Sequence, residues 1–368
     1  MFRRLNFSLL IRVAAILSAL WAARSAVEAD SQSRTMPERS AVALSLSPVI
    51  LAERPDAVQD YTVDPQQVRQ MVNRALLTLT SARDIGTAWT RLGITPQDTV
   101  GIKITTAGGP ALCTHHALVR AICDGLQAAG LPPAQIIIWD KYQSKMAPAG
   151  YVLRGAANGQ PAIESIVPAN NYDPNVFYRN GIAGRLIWGD YQFNQPTDDG
   201  DDFDSDRVMS RSYYTKFVTQ ICTKLINVPV LNDNELFGID GCLSSLALGS
   251  VDNNRRFQGP PSYGNPAIDE IFDQAFIRRK VVVHILDALV AQCAGGPAFN
   301  PQFCQPLGAL YVGRDPVAID SLALPRIEQM RREVNVPTVG NTSTYVTSAA
   351  VLGLGTTDRR RIQYLRVP

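Results

Sequence analysis

Five apolar runs in the chain each end in a cluster of polar residues. They are Val100-Gly101-Ile102-Lys103-Ile104 before Thr105-Thr106-Ala107-Gly108-Gly109, Ile136-Ile137-Ile138-Trp139 before Asp140-Lys141, and Leu225-Ile226-Asn227-Val228-Pro229-Val230 before Asn232-Asp233-Asn234-Glu235. The others are Val281-Val282-Val283-His284-Ile285-Leu286 before Asp287, and Ala309-Leu310-Tyr311-Val312 before Arg314-Asp315. Short apolar runs bounded by turn chemistry predict buried strands. In an open α/β sheet ligands collect outside the carboxyl ends of the strands, so the five clusters predict one shared pocket.

Between the runs the spacing changes to that of helices. Asp64-Pro65 predicts a helix start, with Val68, Val72, Ala75, Leu76 and Leu79 on one face, and Ser81 with Asp84 reads as a capping box for a short second helix. Leu118, Ile122, Leu126 and Ala129 mark a helix over 114–129, ended by Gly130, so residues 98–139 read as a βαβ unit. Residues 267–279 read as helix, and Asp315-Pro316 opens the last one. The Gly-, Asn-, Asp- and Tyr-rich residues 144–215 read as an excursion over the sheet edge, and 41–51 as an edge strand. The fold expected is α/β: a mostly parallel sheet with flanking helices and a long loop-rich insertion. An N-terminal extension with helices (30–94) precedes the main domain (95–368), with the insertion at 144–215.

With 368 residues and 46% hydrophobic content, the chain can bury a full core. Its first segment reads as an address: Arg3 and Arg4 precede the apolar Leu9–Trp21, and Val27-Glu28-Ala29 fits a cleavage site, so residues 1–29 are expected to be a signal peptide. The expected location is periplasmic or extracellular, by general or twin-arginine export, with no stable membrane span after cleavage and an uncleaved anchor as the alternative. Cleavage removes four arginines and one glutamate and leaves 31 basic and 32 acidic residues. Such a balance argues against a nucleic-acid partner, which calls for a basic stripe. The six cysteines allow disulfides in an exported chain, and the short loop between Cys293 and Cys304 makes these two the expected pair, a closure contributing about 3 kcal/mol in the chain-entropy model. No Cys-x-x-Cys occurs, which disfavours an iron–sulfur cluster.

Candidate chemistry gathers at the strand ends. Lys103 is a charge inside a buried strand, where a partner or ligand is expected. The loop after it, Thr105, Thr106, Gly108 and Gly109, can present backbone N–H groups to an anion, although it matches neither common phosphate fingerprint. Asp140, Asp233, Asp287 and Asp315 follow strand ends and could converge for proton transfer or on a divalent cation. His115 and His116 read as a capping or surface pair rather than zinc ligands, and His284 as a core histidine. The run Asp198–Asp206 lacks the glycine and the final glutamate of a calcium loop and reads as solvated acid.

The chain resembles the domain of unknown function 362 family. The resemblance rests on Val100–Ile104 with its glycine loop, on Leu225-Ile226-Asn227-Val228-Pro229-Val230-Leu231, on Asp287-Ala288-Leu289 with Gly295-Gly296-Pro297, and on Asp315-Pro316-Val317-Ala318-Ile319-Asp320, over about residues 95–335. It implies an α/β domain and no settled reaction. The family pattern has Asn where this chain has Thr105 and Lys-Asp-His where it has Asn232-Asp233-Asn234, and the ferredoxin-like module of many relatives is absent. The expected function is an exported protein whose polar pocket binds or acts on a small anionic molecule or divalent cation. Lys103, Asp140 and Asp233 are its candidate catalytic residues; Thr105, Thr106, Gly108, Gly109, Asn232, Asn234, Asp287, Arg314 and Asp315 are its candidate ligand contacts. A non-catalytic envelope binding protein is the alternative, and by family analogy a redox accessory protein.

Overall fold

The computed structural model describes residues 46–193 and 207–368. The expected signal peptide and the acidic run Asp198–Asp206 lie outside the described residues. Leu46–Pro368 forms one compact unit. In chain order its main elements are β1 (Ser47–Glu53), α1 (Pro65–Thr80), α2 (Ile85–Arg91), β2 (Val100–Ile104), α3 (His116–Ala128), β3 (Ile136–Tyr142), β4 (Ala162–Val167), β5 (Tyr172–Arg185) and β6 (Val208–Thr215). There follow β7 (Lys224–Val228), β8 (Val230–Asn234), β9 (Gly238–Asp240), α4 (Cys242–Gly249), α5 (Ala267–Phe272), β10 (Val281–Gln292), β11 (Cys304–Gly313), α6 (Pro316–Glu333), α7 (Thr344–Val351) and β12 (Ile362–Val367).

Ten of the strands form one sheet in the order β12-β1-β11-β10-β7-β2-β3-β4, with β8 beside β10 and β9 beside β8. From β10 through β4 all neighbours are parallel, and β11 is antiparallel to both β10 and β1. The apolar runs are continuous rather than alternating because both faces of the sheet are covered. One face carries Ile102, Ile104, Ile138, Ile226, Val228 and Ile285 against α1, α2 and α3; the other carries Trp139, Leu225, Leu286 and Ala288 against α4 to α7.

The caps follow the sequence closely. Asp64 accepts from the Gln66 and Gln67 amides at 2.8 and 3.3 Å, and Asp315 from the Ala318 amide at 2.9 Å. The expected box of Ser81 and Asp84 divides into two caps: Ser81 closes α1 in the left-handed region (φ 54°), and Asp84 alone starts α2 through the Thr87 amide. Residues 267–279 break into α5 and a turn, Ala275–Arg278.

Three expectations change. β1 is not an edge strand, since β12 pairs along its outer side. Residues 144–215 supply the edge strand β4 and an antiparallel ribbon, β5 with β6. Their abundant Asn and Gly sit largely in turns, with positive φ at Asn158, Gly159 and Asn170. Finally, Cys293 and Cys304 are not bonded; all six cysteines are free and buried. Cys304 lies opposite Gln292 in the ladder, so Cys293, one residue on, faces the other side of the sheet. Each belongs to a different core face.

Candidate functional site

Lys103 leaves β2 in a row that crosses the sheet in register: Trp139, Lys103, Asn227 and His284. Its neighbours are polar but neutral on one side, where Asn227 Nδ2 donates to the Cys242 carbonyl at 2.8 Å and lies 3.1 Å from His284 Nδ1. Burial drives His284 down to about 3, so it stays a neutral core residue. Lys103 Nζ therefore turns toward the carboxyl edge, where it donates to Ser245 Oγ at 2.9 Å and lies 3.5 Å from Asp140 Oδ1. A carboxylate and a hydroxyl thus face the buried Lys103 Nζ, as a buried charged group requires.

Asp140 is held by three groups. The Thr106 amide and hydroxyl donate to Oδ2 at 2.9 and 2.6 Å, and Lys103 faces Oδ1. Thr105 Oγ1 closes the ring at 3.0 Å from Ser245 Oγ. On the facing element, Ser244 donates to Asp240 Oδ1 at 2.9 Å. Burial raises the Asp240 carboxyl, and Lys103 pulls it the other way.

These groups floor a cavity of about 430 Å³, within the roughly 300–1,000 Å³ of small-molecule sites. Asn234, Phe237 and Leu248 form one wall; Tyr142, Ile187 and Trp188 form another. Trp188 is 54% exposed at the mouth, and the exposed Lys145 and Arg255 add positive charge there. Arg255 reaches Asp190 only at 3.9 Å.

Four of the five polar clusters lie toward the same sheet edge, but not on one face. Lys103, Thr105, Thr106, Asp140 and Asn234 line the cavity. Gly108 and Gly109 do not: they build the turn beneath it, Gly108 because a Cβ would lie 2.4 Å from the Leu112 carbonyl oxygen and Gly109 through its φ of 73°. Asn232 donates to the Pro297 carbonyl at 3.4 Å. Asp233 alternates to the other side of β8, where its oxygens accept from the Gly296 amide at 3.0 and 3.1 Å with Arg331 at 3.9 Å. Asp233 is not in the cavity lining, and its bonds to Gly296 hold the loop that brings Pro297 to the cavity wall. Asp287 sits mid-strand in β10 on the α3 face, paired with His115 at 2.8 Å.

Arg314 and Asp315 are at the opposite edge altogether. β11 runs against β10, so Gly313 lies beside His284. Asp315 caps α6 and also accepts from Ser47 Oγ at 2.7 Å and the Thr356 amide at 3.0 Å. Sequence reasoning missed Ser245, Gly249, Asp240, Lys145, Arg255 and Trp188, which come from elements far apart in the chain. Among the described residues no group of His, Cys, Asp or Glu is arranged to hold a metal ion, and no helix is long and apolar enough to cross a membrane.

A family model described as domain of unknown function (DUF362) matches residues 100–325. No curated protein matches the chain. Among solved structures, the crystal structure of a Thermotoga maritima protein from structural genomics is similar at 9% identity and a TM-score of 0.38. That alignment covers 76% of this chain and 61% of the other, so the chain spans less than two thirds of the protein it matches.

Proposed function

The chain belongs to the domain of unknown function 362 family, which matches 100–325, and from that premise we propose that it is an exported protein whose cavity binds a small anionic molecule with an apolar body. Export is supported by the Arg3-Arg4 and Leu9–Trp21 pattern; the free cysteines add nothing to it. The observation that carries the binding reading is Lys103, 3% exposed yet oriented into a cavity whose mouth holds Lys145 and Arg255. Four cations, Lys103, Lys141, Lys145 and Arg255, line the cavity against two carboxylates, Asp140 and Asp240, and a ligand oxygen can replace the long 3.5 Å contacts of Lys103 Nζ to Thr105 Oγ1 and Asp140 Oδ1. An anion is thus favoured over a divalent cation, and Trp188, Tyr142 and Phe237 supply a surface for the uncharged part of the molecule.

The test is thermal denaturation against a panel of phosphates, carboxylates and sulfonates on aromatic and aliphatic bodies, with magnesium and calcium in parallel. The expected result is a concentration-dependent rise with at least one anion, about 2.7 kcal/mol at a hundredfold excess over Kd. Lys103→Met should weaken binding about tenfold or more, on the order of the 1.5–3 kcal/mol of a charge-assisted hydrogen bond. Stabilisation by a divalent cation but by no anion would sink the proposal.

A further inference from the structure

On the opposite face of the same sheet edge, a second titratable pair faces a cavity that the first site does not use. Asp287 is fully buried in β10 and receives three donors: the Leu289 amide on Oδ1 at 3.0 Å, and on Oδ2 the His115 amide at 2.9 Å and His115 Nδ1 at 2.8 Å. A carboxylate accepts from Nδ1–H, which fixes the neutral imidazole in the tautomer whose Nε2 carries a lone pair. His115 is anchored on the backbone as well as the ring, just before α3, so the pair is rigid.

The accessible side of His115 lines a cavity of about 530 Å³. Its other walls are mostly apolar: Tyr61, Val63, Pro65, Ala117, Phe299 and Pro301. Tyr61 and Phe299 are 55% and 41% exposed, so two large apolar side chains border a space that His115 and His116 both line. Tyr61 is itself held, its hydroxyl donating to the Cys304 carbonyl at 3.1 Å. Burial disfavours the imidazolium, and the Asp287 carboxylate outweighs it, leaving His115 more basic than an ordinary histidine. His116 also lines the cavity, but its Nε2 is tied up 2.8 Å from the Ala149 carbonyl and its ring is stacked on Tyr151, so the carboxylate-backed histidine of the two is His115.

We propose that the His115–Asp287 pair and this cavity form a second site, for an apolar molecule bearing one acidic hydroxyl of the phenol class. The hydroxyl proton passes to His115 Nε2, the O–H electron pair stays on the oxygen, and the resulting imidazolium is balanced by Asp287 and by the bound oxyanion. No further reactant is needed. The arrangement differs from the first site in its charge: there a lysine meets an anion already formed, whereas here a base forms it.

The probe is 4-nitrophenol, whose anion is coloured, added to the full chain at a pH where the free compound is mostly protonated. The expected result is about a tenfold rise in the anion-to-phenol ratio at saturation, one unit of displaced pKa. His115→Gln, at a residue whose side chain makes no cap bond to α3, abolishes the rise. Ala117→Trp, which leaves the pair intact and fills the cavity, abolishes binding itself. An unchanged ratio on the wild type, or an equal rise in His115→Gln, overturns the proposal; the latter would place the anion on another cation of the protein.

Discussion

At residue 249 the chain must have no side chain if Lys103 is to reach Ser245. A Cβ there would lie 2.7 Å from Lys103 Cε and 3.1 Å from Nζ, while the Gly249 backbone itself needs no left-handed conformation. Gly249→Ala should therefore fold, at a cost of about 1 kcal/mol or less because the helix terminus tolerates alanine, yet push the ammonium off Ser245 and Asp140. The expected outcome is a near-unchanged melting temperature with anion affinity lowered severalfold, read by calorimetric titration with the best anion of the panel; unchanged affinity would show that Lys103 does not need this path. Lys103 and Asp140 were visible in the sequence because a charge inside or just beyond an apolar strand stands out. Ser245 and Gly249 were not: small residues in an apolar helix look like packing, and only the tertiary placement of α4 against β2 turns them into a lysine's partner and its clearance.

Helix α4 owes that placement to a carboxylate from another element. Asp320 of α6 accepts the first amides of α4, Cys242 at 2.7 Å and Leu243 at 3.0 Å, and so satisfies donors that no preceding turn can. The fit leaves no room at Gly241, where a Cβ would lie 2.4 Å from Asp320 Oδ1. Gly241→Ala should destabilise the chain by about 2 kcal/mol, as overpacking of a closed site does, and a matching fall in the urea midpoint checks it. The sequence displayed Asp315 as a cap because Pro316 follows it, whereas Asp320 caps a helix some 78 positions away and carried no local sign. Strand direction was hidden in the same manner. A run of apolar residues reads alike in both directions, and the short link from β10 to β11 permits an antiparallel turn where a parallel neighbour would need a crossover. That one reversal sends Arg314 and Asp315 to the far edge, while the four remaining clusters keep the common edge that the apolar pattern implied.

Across the whole molecule, buried carboxylates set how stability responds to pH. Burial raises Asp252, Asp269 and Asp320 from 3.8 to about 7 each. For Asp320 the Leu243 and Cys242 amides pull the other way, and for Asp269 the Ser348 hydroxyl does so. A raised carboxyl holds its proton in the folded chain when the unfolded chain has lost it, so folding is weakened as pH climbs from 3.8 through about 7. Asp98 and Asp173 work in the opposite sense: their hydrogen bonds outweigh desolvation, and the stability they add is present above 3.8 and is lost below it. The two sets together place the greatest stability at mildly acidic pH, just above the ordinary carboxylate value. Asp269 isolates the effect, since it is fully buried in α5, takes no part in either cavity, and caps no helix. Asp269→Asn should raise stability above neutrality by on the order of 2 kcal/mol and leave it nearly unchanged below 3.8, where both states carry the proton. Denaturant melts of the two proteins at several pH values measure this directly. Curves that stay parallel across the whole range would mean that the charge on Asp269 is not what burial opposes.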